Sequence, residues 1–147
     1  MSTVHASSVP DLDAVTLYRI LRLRIDVFVV EQQCPYPELD GRDLEPSAVQ
    51  LWVPSSDGSV LATLRLLRDA DATARIGRVA TAVAARGRGL AALLMGRALE
   101  LAADADVVLD AQTYLHDWYA RFGFVRDGAD YVEDGIPHVP MRRRRQR

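Results

Sequence analysis

Lysine and asparagine are absent from these 147 residues, and there is a single cysteine, Cys34. One cysteine excludes an internal disulfide framework and points to a reducing, cytoplasmic setting. The eighteen cationic side chains are all arginine, which reads as a GC-rich coding bias. No apolar run approaches the length of about twenty residues that spans a bilayer. The opening MSTVHASSVPDLDA lacks the apolar core of a signal peptide, so no membrane partner is expected. His5, His116, His138 and Cys34 show no metal-ligand spacing, and no metal is expected. The P-loop pattern GxxxxGK[ST] and the nucleophile elbow GxSxG are also missing.

What is present is ordinary for a globular chain: 49% hydrophobic and 26% charged residues. That suits one domain, taken as 6–146, with enough chain to bury a core. The net charge of −2 hides an asymmetry, because five of the arginines lie in the tail RRRRQR (142–147). The other thirteen face twenty acids, so residues 1–141 carry −7. An acidic body suits a cationic substrate better than nucleic acid, and the tail reads as a solvated terminus.

Residues 13–31 carry a helical period, with Leu17, Ile20, Leu21, Ile25, Val27 and Phe28 on one arc and Arg19, Arg22 and Asp26 opposite. Arg24 falls in the middle of the apolar arc. At about 100° per residue, Glu31 lies within about 20° of it. A charge there must be paired, and Glu31, Asp40 or Asp43 is the expected partner. The pair reads either as a structural pin or as a wall of a substrate pocket. CPYPELDGRDLEP (34–46) is an irregular loop. Then come three strand-like segments, AVQLWV, SVLATLRLL and RIGRVATAV, the first two joined by the hairpin turn PSSDG. A helix runs from Leu90 to about Ala103, followed by the strand DVVLDAQ (106–112) and the short helix YLHDWYARFG (114–123). Strand candidates at 124–126 and 139–142 finish the chain. One βαβ crossover therefore sits among hairpin-connected strands.

The helix from Leu90 is entered through Arg86, Gly87, Arg88 and Gly89. Two glycines in a first turn weaken a helix by about 1 kcal/mol each relative to alanine. No Ser, Thr, Asp or Asn stands there as a cap. Such an entry lets backbone N–H groups approach an anion at the positive end of the helix dipole, so a ligand phosphate can replace the cap. Gly87, Gly89 and Ala92 also match G-x-G-x-x-A, with Asp110 about twenty residues on, but a dinucleotide fold needs several βα units.

Arg86, Gly89 and Ala91 make R-x-x-G-x-A after a strand and at the start of a long helix. This resembles the acyl-CoA pyrophosphate loop of the GCN5-related N-acetyltransferases (GNAT). WYARFGF resembles the family's Tyr-x-x-x-Gly-Phe segment, with Tyr119 four residues before Gly123. LRLRIDVFVVEQQCPYPELDGRD and EDGIPHVPM resemble the opening and closing segments of the ElaA-type subfamily, so the likeness spans about Leu17 to Met141. Gln50 departs from it, standing where a histidine is expected, and a role for that histidine is not carried over.

The resemblance implies an α/β (α+β) GNAT fold: a mixed, mostly antiparallel sheet with a splayed central parallel pair flanked by helices. It implies acetyl-CoA as co-substrate and transfer of the acetyl group to a primary amine by direct attack in a ternary complex. Val79, Ala80 and Thr81 would pair with the pantetheine arm. Arg86, Gly87, Arg88, Gly89, Leu90, Ala91 and Ala92 would bind the pyrophosphate, and Gln112 would assist beside the arm. Tyr119 matches the general acid; on its residue type alone it is equally a half-buried aromatic on an amphipathic helix. His138 and Glu133, in VEDGIPH, read as pocket residues or as a base acting through water, or as a turn that bonds locally. Arg24, Glu31, Asp40 and Asp43 would shape the acceptor site, the acidic loop hinting at a cationic amine. Cys34 as an acyl carrier is a further idea, although lone cysteines are mostly inert. Two alternatives stay open: a non-catalytic acyl-CoA-binding module, and an enzyme like the acyl-homoserine lactone synthases, whose arginine, phenylalanine and acidic positions resemble Arg24, Phe28, Asp40, Asp43 and Arg65. A monomer or homodimer is expected.

Overall fold

In the computed structural model, which describes residues 2–146, eight strands build one mixed sheet. They are β1 (His5–Ser7), β2 (Val49–Pro54), β3 (Val60–Arg68), β4 (Ala74–Thr81), β5 (Val107–Gln112), β6 (Val125–Arg126), β7 (Tyr131–Glu133) and β8 (Ile136–Arg143). The order across the sheet is β1-β2-β3-β4-β5-β8-β6, with β7 also paired to β8. Every pairing is antiparallel except β4 with β5. The three segments read as strands before the glycine loop are β2, β3 and β4, each within a residue or two of the expected bounds. The three-residue strands β1 and β7 carry too few residues to show a period.

Three helices flank the sheet: α1 (Ala14–Ile25), α2 (Leu90–Leu101) and α3 (His116–Ala120). Asp13 opens α1 by accepting from the Thr16 N–H at 2.8 Å and from its hydroxyl at 2.9 Å. Such a cap stabilises a helix by about 1 kcal/mol. Successive residues of β2 serve different layers, as the two-residue period of a strand requires. Leu51 and Val53 join Leu90, Leu94, Met95 and Ala98 of α2 in the main core, while Trp52 joins Ile20, Leu23 and Val27 in a second one. The two long helices therefore cover opposite faces.

The helix begun by α1 does not end at Ile25. It widens into a π-helix over Asp26–Glu31, with the Gln32 N–H reaching back five residues to the Val27 carbonyl at 3.3 Å. The Cys34 N–H does the same to Val29 at 3.1 Å. Each residue of a five-residue bonding pattern turns through less than an α-helical residue does. The lag carries Glu31 off the face of Arg24, and the expected pairing of those two does not form.

β4 and β5 are in register only at Ala74↔Val107 and Arg75↔Val108. Beyond that point they part, and β5 continues its ladder with β8 as far as Gln112↔His138. On its other side β4 bulges against β3 between Thr63 and Arg65, where Arg78 takes a left-handed φ of 53°. A bulge bends its strand and breaks the ladder locally. The splayed parallel pair expected of the fold is this divergence. The tail corrects its reading as a solvated terminus: Arg142 and Arg143 belong to β8, and the Arg145 N–H donates to Asp106 at 2.7 Å. Arg147 lies outside the described residues. No helix among the described residues is long and apolar enough to cross a membrane.

Candidate active site

The divergence of β4 and β5 opens a cleft of about 1020 Å³. Its walls come from β4, the π-helix, the loop 34–42, the first turn of α2, the end of β5, α3 and the β7–β8 turn. Val79, Ala80 and Thr81 line it along β4, where no strand pairs with the edge that faces β5. Apart from the Thr81 carbonyl, which accepts from Arg86, backbone groups on that edge can bond an extended chain lying between the strands.

At one end stands the glycine loop. α2 begins at Leu90, with Gly89 as the residue before it, so the two glycines lie in the turn and not in the helix. The expected penalty on the first turn is therefore absent. Gly87 and Gly89 have φ of 82° and 73°, a region that costs other L-residues about 1–2 kcal/mol. A Cβ built on either meets nothing within 4 Å, so the loop face is open and the requirement is one of backbone conformation. No side chain caps the helix. Arg86 and Ala91 line the cleft, Leu90 is buried in the core, and Gly87, Arg88, Gly89 and Ala92 complete the exposed turn.

Arg86 is tied across the cleft. Its Nη1 and Nη2 donate to the two carboxylate oxygens of Glu31 at 2.7 and 2.5 Å, and its Nε donates to the Thr81 carbonyl at 3.1 Å. This pairing holds the Glu31 carboxyl below its ordinary range.

Tyr119 lines the cleft from α3 and is 7% exposed, so it is buried where half-burial was expected. Its ring packs edge-on against Trp118 at 4.9 Å and Phe124 at 6.2 Å. Burial raises the phenol well above its usual pKa, with the neighbouring Tyr114 adding to the shift. The group keeps its proton through and beyond neutral pH. His138 sits opposite Gln112 in the β5–β8 ladder and stacks on Tyr131 at 5.5 Å. Its Nδ1 lies 2.8 Å from the Ile136 carbonyl. An acceptor at that distance assigns the proton to Nδ1 and leaves Nε2 with a lone pair in the neutral ring. Glu133 is exposed at the rim, and Gln112 donates to Gln32 at 3.4 Å. Cys34 is 8% exposed, with its Sγ 3.6 Å from the Asp134 carbonyl.

The remaining wall is a charge cluster. Arg24 is fully buried and does not line the cleft. Its Nε donates to Glu38 at 2.7 Å and its Nη1 to Asp43 at 2.7 Å. Of the three expected partners only Asp43 is engaged, and the second partner is Glu38. Asp40 pairs instead with Arg65, at 2.7 and 2.8 Å, and with Arg78 at 3.4 Å. Gln50, in the place of the expected histidine, donates to Asp43 at 2.8 Å. Tyr36 donates to Glu38 and lies under the Arg78 guanidinium. Burial works to raise Asp43, yet its bonds to Arg24 and Arg65 prevail and hold it below the ordinary value; Arg65 does the same to Asp40. Arg24 and Asp43, expected to bind the acceptor, thus lie behind the cleft wall. The acids of the loop 34–46 are neutralised by arginines and do not present a bare negative surface. Glu38, Tyr36 and Arg78 were not anticipated. The first two sit in an aperiodic loop, and the third owes its position to a bulge.

The chain matches the family model described as acetyltransferase (GNAT) domain over residues 24–145. A UPF0039 protein of Mycobacterium tuberculosis is 51% identical over 136 residues, covering 90% of this chain and 87% of that one. Protein ElaA of Escherichia coli is 39% identical over 139 residues, 90% of each chain. Its crystal structure superposes with a TM-score of 0.91, covering 97% of this chain and 99% of the other. The structure of an acyl-CoA N-acyltransferase from Pseudomonas aeruginosa gives a TM-score of 0.92 at 44% identity over the same shares of the two chains. A CoA-dependent acyl-homoserine lactone synthase, BjaI, shares the fold at 19% identity and a TM-score of 0.81, covering all of this chain and 85% of its own.

Proposed function

The chain belongs to the acetyltransferase (GNAT) domain family, of the ElaA type, and from that premise we propose that it transfers an acetyl group from acetyl-CoA to a primary amine within a ternary complex. The observation that carries this reading is the splayed β4–β5 cleft, with an open, uncapped glycine turn at one end and a buried phenol within it. The residues fit the co-substrate: an unpaired strand edge for the amides of the arm, and a left-handed glycine turn clear of side chains for the pyrophosphate. Acetyl-CoA supplies an activated acyl carbon and a thiolate leaving group.

Val79, Ala80 and Thr81 bond the pantetheine arm through their backbone, and residues 86–92 hold the pyrophosphate, with the dipole of α2 favouring negative charge there. Gln112 orients the arm from β5. A backbone N–H near Thr81 stabilises the oxyanion as the amine attacks the thioester carbon. When the carbon–sulfur bond breaks, Tyr119 gives its phenolic proton to the sulfur. A phenol is neutral throughout the physiological range, so it arrives at the step carrying the proton. The amine must lose a proton in turn. His138, with a lone pair on Nε2, takes it directly or through water, and Glu133 at the rim assists. Glu31 and Asp40 shape the acceptor end, and Arg24 and Asp43 brace it from behind.

The test is release of free thiol from acetyl-CoA across a panel of small-molecule and peptide amines. A catalytically silent acyl-CoA-binding module would bind CoA and release no thiol with any of them. The fold shared with the acyl-homoserine lactone synthase keeps one further acceptor, S-adenosylmethionine, in the panel.

A further inference from the structure

Arg86 stands first in the glycine turn, yet its side chain is committed elsewhere. Both of its terminal nitrogens face Glu31, fifty-five residues earlier in the chain, and its Nε is on the Thr81 carbonyl. A guanidinium recognises carboxylate and phosphate by the same planar, two-pronged geometry. The two oxygens of Glu31 therefore present to Arg86 what two phosphate oxygens would present. The side chains of the pair are 42% and 41% exposed. A pair so open to water is worth at most about a fivefold factor in an equilibrium. A multiply charged pyrophosphate, held as well by the N–H groups at the start of α2, outcompetes it.

We propose that Glu31 is an internal stand-in for the pyrophosphate of the co-substrate: it grips Arg86 while the cleft is empty and surrenders it when acyl-CoA binds. This rests on the acyl-CoA reading of the glycine turn. Glu31 closes the π-helix, and the wider winding of that segment turns it away from Arg24, where an α-helix would have put it. Exchange leaves the Glu31 carboxylate on the cleft wall without its cation. Cofactor binding thus creates a negative charge that an ammonium group of the acceptor can use. By linkage, an acceptor cation held there tightens CoA by the same factor that CoA tightens the acceptor. Glu31 is a positioning residue in this scheme and touches no reacting atom.

Titration calorimetry on the full chain tests the exchange, with CoA and with pantetheine, which lacks phosphate. Glu31→Gln keeps the shape and removes the charge, so it tightens CoA by about two- to fivefold and leaves pantetheine unchanged. Arg86→Gln weakens CoA, and in that background Glu31→Gln changes nothing. Glu31→Ala serves as a second variant and shifts CoA affinity in the same direction. A merely structural role for Glu31 predicts the opposite sign. Unchanged or weaker CoA binding in both Glu31 variants overturns the exchange, and so does an equal tightening of pantetheine. If the wild-type chain binds no CoA, the acyl-CoA reading itself falls and takes the exchange with it. Wild-type binding with no effect of Glu31 removes the exchange alone.

Discussion

Arginine meets glutamate twice near the cleft, once behind its wall and once at its surface, and the two pairs differ in everything but chemistry. Arg24 and Glu38 have side-chain exposures of 0% and 1%; Arg86 and Glu31 are open to water. The first pair belongs to a network in which Asp43 accepts from three side chains: Arg24 through two nitrogens, Arg65 and Gln50. The second can break at little cost. Burial turns an ion pair into a fixture, since either partner left alone in the interior faces a large desolvation penalty. Exposure leaves it exchangeable. The wall built on Arg24 therefore holds shape. Arg86, Tyr119 and His138 line the cleft itself, and we propose that these are the groups that meet ligands.

The difference breaks most visibly at Tyr119, on the available side. Tyr119→Phe keeps the ring contacts with Trp118 and Phe124, so the melting temperature stays nearly unchanged. At saturating acetyl-CoA, kcat falls by about 10²–10⁴-fold, the usual cost of losing a general acid. A variant with wild-type kcat would move the acid elsewhere, with His138 acting through water the next candidate.

On the fixed side the expected outcome is reversed. Arg24→Ala removes the fully buried cation of the network, leaving Asp43 to Arg65 and Gln50 and Glu38 to Arg78 and Tyr36, and destabilises the fold by about 3 kcal/mol, measured by denaturant unfolding. CoA affinity of the protein that remains folded should match wild type. A neutral effect on stability would mean that the two carboxylates find water, and that this wall is no more rigid than the other.

A smaller effect is expected in the glycine turn. Gly89→Ala meets no obstructing atom, so its cost is the left-handed backbone alone, about 1–2 kcal/mol. It should lower the melting temperature by a few degrees and weaken CoA together, because the turn that is strained is the one proposed to face the ligand. Loss of stability with full CoA affinity would detach the turn from binding.

The smallest effect is in pH. Asp43 and Asp40 are held below their ordinary pKa by the arginines. Their contribution is complete above an unfolded-state value of about 3.9 and is lost as pH falls below it toward the lower folded-state value. Acid unfolding of the wild type should therefore steepen below about pH 4, and Arg24→Ala should blunt that dependence. Tyr119 has the opposite sign. Its raised pKa adds stability that is complete below an unfolded value of about 10 and lost as pH rises beyond it.

Much of the candidate site was legible in local sequence. Arg86, Gly89, Ala91 and Tyr119 sit within short segments whose spacing carries the resemblance, and the period of residues 13–31 placed Arg24 inside the core. The partner of Arg24 was not legible. Helical arithmetic assumes a uniform turn per residue, and the π-helix broke that assumption just before Glu31. Glu38 stands in a loop with three prolines and no period, so nothing local relates it to a helix fourteen residues earlier.

By itself the sequence determined the elements with a strong period, the uncapped glycine entry to the long helix, and the family to which the motifs belong. These depend on neighbours along the chain. Only the tertiary structure decided which carboxylate meets which arginine, that Arg24 and Asp43 stand behind the cleft, that Arg78 sits on a bulge, and that Glu31 reaches Arg86. The reason is physical: an ion pair is chosen by distance and burial among residues brought together from 14 to 55 positions apart, and those quantities exist only once the sheet has splayed and the loop has closed over it.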